Sequence, residues 1–121
     1  MWIIRVLTFW LLGTSSLMAA ALSEPEMRAV LSGNSIISPD FGCVYYDPSG
    51  KSVSVIRSGE KFDGRWIIKD GLYYSNGQCG LTGCTLDGEW PSFTFNRTDG
   101  GYTQPVIVIK GNYCEKDGIV S

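Results

Sequence analysis

From residue 35 onward, glycine-bearing turn sequences cut this chain into short β-forming runs, and no other feature constrains its fold more. The runs span 35–38, 41–47, 52–57, 64–69, 72–75, 84–86, 92–96 and 104–110. Between them lie Pro48-Ser49-Gly50, Asp70-Gly71, Asn76-Gly77, Asp87-Gly88 and Asp99-Gly100-Gly101. Asp-Gly and Asn-Gly adopt positive φ at low cost, which a two-residue hairpin needs at both central positions. Runs joined in this way form an antiparallel up-and-down meander. The expected fold is mainly β: a small up-and-down β-barrel, or a strongly curved meander, of seven or eight short strands. Closure would remove the exposed edges that a flat sheet leaves.

One helix precedes the strands. Ser23-Glu24-Pro25-Glu26 is a capping box, in which the Ser23 side chain caps the Glu26 amide and the Glu26 carboxylate reaches back. Met27, Val30 and Leu31 follow at helical spacing, and Gly33-Asn34 supplies a left-handed stop. The pattern predicts a short amphipathic N-terminal helix over about 24–32. In Ser52-Val53-Ser54-Val55 the valines share one face and the serines the other, as in a half-exposed strand. Val106-Ile107-Val108-Ile109 lacks polar alternation, so both its faces are expected to be covered, the outer one by the helix.

The chain begins MWIIRVLTFWLLGTSSLMAA. Arg5, the apolar run 6–12, a polar break and the small residues before Leu22 follow the plan of a secretory signal peptide cut after Ala21. The run is too short to span a bilayer, and lipid attachment would need a cysteine where Leu22 stands. The expected organisation is a signal peptide over 1–21 and a single β domain over 22–121, exported to the periplasm or secreted, with no membrane span after cleavage. About a hundred residues support one small core. The chain has 10 basic and 12 acidic residues and no histidine. Without a basic patch it is not expected to bind nucleic acid, and it lacks the commonest general base and metal ligand.

Four cysteines, Cys43, Cys79, Cys84 and Cys114, in a short exported chain point to two disulfides. A zinc site usually draws on two close cysteine pairs, and one is present. A redox pair needs a nearby cation or helix terminus to lower its thiol pKa, and the Cys79–Cys84 segment offers neither. Three connectivities remain open. The favoured one pairs Cys79 with Cys84 across a short loop and Cys43 with Cys114. Loop entropy alone would then give about 2.2 and 4.4 kcal/mol respectively.

No nucleophile–base arrangement can be assembled, so no catalytic residue, metal ligand or cofactor is expected. Asp87 with Glu89, or Glu60 with Asp63, could serve a carboxylate-based hydrolase, but both pairs sit at predicted turns, where acids are common. Asn96-Arg97-Thr98 has the form of a glycosylation sequon. The aromatic residues are the stronger lead. In Tyr45-Tyr46 and Tyr73-Tyr74 one ring must point inward and its neighbour outward. Tyr46, Tyr73, Tyr74 and Trp90 are the candidate binding residues, because tyrosine and tryptophan carry much of the energy of interfaces.

The progression LSGNSI, YYDPSGKSVSV, DGRWIIKDGLYY, then a cysteine-bearing segment and a late Gly-Asn resembles a loosely defined family of short, exported, uncharacterised bacterial proteins. The resemblance spans roughly residues 31–112 and implies a periplasmic or secreted β domain. It implies no catalytic residue. The expected function is non-enzymatic recognition of a macromolecular partner, a protein or envelope component; one form is a periplasmic inhibitor or immunity protein acting on a cell-wall hydrolase. The alternatives are a carrier of a small apolar or envelope-derived ligand and a carboxylate-based hydrolase. Surface recognition is placed first because short strands with large inward side chains leave little interior space.

Overall fold

The computed structural model describes residues 20–115, so the predicted signal peptide lies outside the described residues except for Ala20 and Ala21. The single α-helix among them, α1, spans Glu24–Leu31. Both halves of the capping box form: Ser23 N–H donates to Glu26 Oε1 at 2.7 Å, and Glu26 N–H donates to Ser23 Oγ at 3.3 Å. Hydrogen bonding from the Ser23 backbone amide and side chain holds the Glu26 carboxyl below its usual range. Met27 and Leu31 are fully buried, so the stripe read in the sequence does face a core.

Nine strands follow, one or two more than the turns predict. They are β1 (Asn34–Ser38), β2 (Gly42–Tyr46), β3 (Lys51–Val55), β4 (Lys61–Arg65), β5 (Ile67–Lys69), β6 (Leu72–Tyr74), β7 (Cys84–Glu89), β8 (Ser92–Arg97) and β9 (Thr103–Lys110). All pair antiparallel in one sheet of order β4-β3-β2-β1-β9-β8-β7-β6-β5. The extra strand arises because the run 64–69 divides at Trp66 and its first half begins earlier, at Lys61. Lys61, Phe62 and Asp63 are all exposed, so β4 carries no apolar alternation to announce it.

That division closes the sheet into a nearly complete barrel. β4 and β5 occupy its two edges, yet Trp66 alone separates them in the chain. A single bent segment therefore pairs with β3 through its first half and with β6 through its second. Trp66 is buried at the bend, where its Nε1–H donates to Asp47 O at 2.9 Å and its N–H to Gly50 O at 3.0 Å. At Asp70-Gly71, between β5 and β6, both residues have positive φ (55° and 78°), as the predicted hairpin turn requires.

Two local expectations fail. Asp87-Gly88 is not a turn: both residues lie within β7, and the chain reverses at Trp90-Pro91, which has a cis peptide bond. Gly88 is required there, because at φ +127° an added Cβ would stand 2.4 Å from Ser92 O. Nor is β9 covered on both faces. Gln104, Val106 and Val108 are buried while Ile107 is 45% exposed, and α1 instead joins the interior cluster of Ile36, Trp66 and Ile68 at one end of the barrel.

Both disulfides form in the favoured connectivity, Cys43–Cys114 and Cys79–Cys84. The first ties the C-terminal 3₁₀ turn, Tyr113–Glu115, to β2. Around it Val55, Ile37, Tyr45 and Val53 form a second apolar cluster on the outer face of the sheet. Ser35 anchors the turn from beneath: it donates to Gly111 O at 2.7 Å and accepts from Tyr113 N–H at 2.9 Å.

Candidate functional site

The inner face of the barrel follows from register. Ile36 on β1 pairs with Val44 on β2, Val44 with Ser54 on β3, and Ser54 with Phe62 on β4. One row over, Tyr46 pairs with Ser52 and Ser52 with Gly64. These residues share the inward face, since alternate side chains point the same way. On β3 the valines face outward into the cluster around Cys43, and the serines face the interior. Two hydroxymethyl groups and a glycine thus stand where a filled barrel would carry large apolar side chains.

A half-open cavity of about 350 Å³ results. Its buried end is formed by Tyr46, Tyr73 and Phe95, and its mouth by the exposed Phe62, Asp63 and Gln78. Because all pairings are antiparallel and Trp66 carries β4 into β5 without reversing the chain, the hairpin connections alternate between the barrel ends. Residues 39–41, 56–60, 75–83 and 98–102 therefore gather at the mouth, and α1 leads into β1 at the opposite end.

Tyr46 and Tyr73 belong to β2 and β6, which are not neighbours, so the 2.8 Å contact between their hydroxyls crosses the interior. Tyr46 packs edge-on against both Trp66 and Tyr73, at centroid distances of 5.2 and 5.8 Å, and Tyr73 leans on Phe95 at 4.7 Å. Burial pushes both phenols above the usual tyrosine range, so both stay protonated. Higher on the wall, Gln104 Nε2 donates to Ser38 Oγ at 2.8 Å and Tyr102 donates to Gln104 Oε1 at 3.2 Å. Partial burial and the nearby Asp40 charge raise the Tyr102 pKa.

A seam separates β4 from the segment following β6. Asn76 Oδ1 accepts there from Arg65 N–H at 2.7 Å. Gly64 makes this approach possible, because a Cβ at that position would lie 2.4 Å from Asn76 Oδ1 and 3.0 Å from Ser52 Oγ. The loop carrying Asn76 is fixed on its far side. The Cys79–Cys84 bond closes it, Arg97 Nη1 donates to Gln78 Oε1 at 2.7 Å, and Thr98 Oγ1 donates to Thr82 O at 3.0 Å. Cys79 itself lines the cavity.

The structure brings Tyr46 and Tyr73 together and leaves Tyr74 and Trp90 apart from them. Tyr74 is half-buried on the outer side of the seam, beside Arg65, Ile67 and Asn76. Trp90 is 46% exposed on the β7–β8 hairpin, with Lys110 Nζ 5.7 Å above its ring and Phe93 edge-on to it. The tyrosine pairs do split as the strand period demands: Tyr45 joins the outer cluster while Tyr46 and Tyr73 join the inner one. Asp87 accepts from Asn96 Nδ2 at 2.8 Å, which engages the side-chain amide of the sequon asparagine. Among the described residues, no group of three or more Cys, Asp or Glu side chains is placed to hold a metal ion. None of their helices is long and apolar enough to cross a membrane.

Ser52, Ser54, Gly64 and Asn76 are the site residues that sequence reasoning missed. The serine alternation was visible, but it identifies two faces without saying which one points inward. No family model matches the chain, and neither does any curated protein or solved structure.

Proposed function

We propose that this protein holds a small apolar ligand, such as an envelope-derived molecule, in the half-open cavity of its barrel, and that it does so as an exported, non-enzymatic carrier. One observation carries the reading: Ser52 and Ser54 face the interior, leaving about 350 Å³ between them and aromatic walls. That volume falls within the range of small-molecule sites, which are mostly apolar with a few placed polar groups. The two disulfides are bonds of an oxidising compartment, which supports export, as does the signal-peptide pattern of the first residues. The test is binding of the fluorescent probe 1-naphthylamine to the wild type and to Ser54→Phe, whose ring would occupy the cavity. Saturable binding that the substitution abolishes, with the fold intact by circular dichroism, supports the reading. Equal binding to both proteins refutes it.

A macromolecular partner is the second reading, favoured by Leu81. This residue is 96% exposed at the tip of the loop closed by Cys79–Cys84. A rigid loop presenting a bare leucine suits insertion into an apolar pocket of a partner protein, such as a cell-wall hydrolase. Recovery of one partner from periplasmic extract by the wild type but not by Leu81→Ser would support it. Equal recovery by both would remove Leu81 from the argument.

A further inference from the structure

The cavity's polar groups bear on what it accepts. We infer that the site takes an uncharged amphiphile, an apolar body of about ten carbons bearing a hydroxyl or primary amide, and discriminates against a carboxylate of the same length. This rests on the cavity-binding reading above and adds a ligand class to it.

Size comes first. At about 30 Å³ per water-sized group, a cavity of about 350 Å³ holds on the order of a dozen non-hydrogen atoms. Its apolar walls, Ile36, Val44, Phe62 and Phe95, suit a hydrocarbon body.

Hydrogen-bonding capacity comes second. Tyr46 and Tyr73 are engaged with each other, and Gln104 with Ser38 and Tyr102. The Ser52 and Ser54 hydroxyls make no side-chain hydrogen bond to another described residue, and no buried polar side-chain atom among those residues lacks a partner. Both hydroxyls therefore keep contact with the cavity. They stand two residues apart on one face of β3, about 7 Å along the strand. A hydroxyl can donate and accept at once, so the pair satisfies an alcohol or an amide in either orientation.

Charge decides between amphiphiles. Among the described lining residues there is no lysine or arginine, and Asp63 at the mouth is the one carboxylate. A bound carboxylate would leave water without a counter-charge and meet Asp63 as a like charge. The neutral hydroxyl and side-chain amide donors of the wall, Ser52, Ser54, Asn76 and Gln78, do not offset that loss. An alcohol or amide carries no such penalty.

The experiment uses the folded, disulfide-bonded protein with the fluorescent probe 1-naphthylamine bound, and measures its displacement by decanol, decanamide and decanoate at about pH 8, where the acid is ionised. Decanol and decanamide are expected to displace the probe at concentrations about tenfold or more below decanoate. The double variant Ser52→Ala/Ser54→Ala should raise the decanol and decanamide concentrations needed by about threefold or more, each read against the probe's affinity for the same variant. Asp63→Asn should improve decanoate alone. Decanoate equal to or better than decanol overturns the inference, as does displacement by decanol and decanamide that loss of both serines leaves unchanged. If the probe binds and none of the three displaces it, the cavity reading stands and the ligand class falls. If the probe does not bind, both fall.

Discussion

The hydroxyls of Tyr46 and Tyr73 meet at 2.8 Å across the barrel interior, from strands that do not touch. Each phenol is buried, so removing one partner leaves the other with an unmet polar group. Tyr46→Phe should cost about 1–2 kcal/mol of stability for that reason. Tyr46→Phe/Tyr73→Phe should cost less than the sum of the single variants, with a coupling of about 1 kcal/mol. Urea denaturation of the four proteins measures it, and strict additivity would contradict a functioning bond.

The same pair sets an alkaline limit. A tyrosine in the unfolded chain ionises near 10.0, whereas burial raises the folded values of Tyr46 and Tyr73 above that. The folded protein thus retains protons that the unfolded chain releases. The pair's contribution is fully present below about pH 10 and is lost as the pH rises through the folded values. Thermal melts should be flat on this account up to about pH 9 and fall steeply beyond about pH 10. The doubly substituted protein should fall less steeply.

The two disulfides should separate by function. Replacing Cys43 and Cys114 with serine removes a closure over a sequence separation of 71, worth about 4.4 kcal/mol by loop entropy. It also frees the C-terminal turn that covers Val53 and Val55. Replacing Cys79 and Cys84 removes a closure over 5, worth about 2.2 kcal/mol. The first change should lower Tm the more. The second should weaken probe binding disproportionately, since Cys79 lines the cavity and its loop carries Asn76. Calorimetry alongside probe titration distinguishes them, and probe affinity that tracks Tm in both variants would count against a special role for the loop.

Gly64→Ala tests the seam. Its methyl group would collide with Asn76 Oδ1, so the bond to Arg65 N–H must break or lengthen. A loss of about 1–2 kcal/mol is expected. Adding Asn76→Ala should restore part of it, because the smaller side chain makes room for the methyl. Chemical denaturation reads both variants, and a further full loss in the double variant would show that the two residues act independently.

Much of this fold was legible because local chemistry and tertiary structure agree. Ser23 and Glu26 make their capping box, Asp70-Gly71 turns as such a dipeptide should, and the cysteines pair as loop length suggests. Reading failed where a residue's neighbours decide its role. Asp87-Gly88 reads as a turn until Pro91 is seen to take the reversal two residues on. β4 reads as loop because Lys61, Phe62 and Asp63 face outward or onto a cavity instead of a packed core. The outward face of β9 looked too apolar to leave bare, yet Ile107 is bare. For the candidate site, adjacency said that one ring of each tyrosine pair points inward, but the space beside those rings was not legible. A cavity depends on what is missing opposite a side chain, and that is fixed by register between strands distant in the chain.

The pairing of β1 with β9 has a kinetic meaning. Ile36 lies opposite Val108, so the first strand has no partner on that side until nearly all of the domain exists. A chain emerging from its N-terminus cannot assemble this barrel progressively. It must keep β1 through β8 in an unfinished state until the last strand arrives, when one long-range association completes the hydrogen-bonded ring apart from the seam. Whatever hairpins form earlier, closure of the barrel waits for β9.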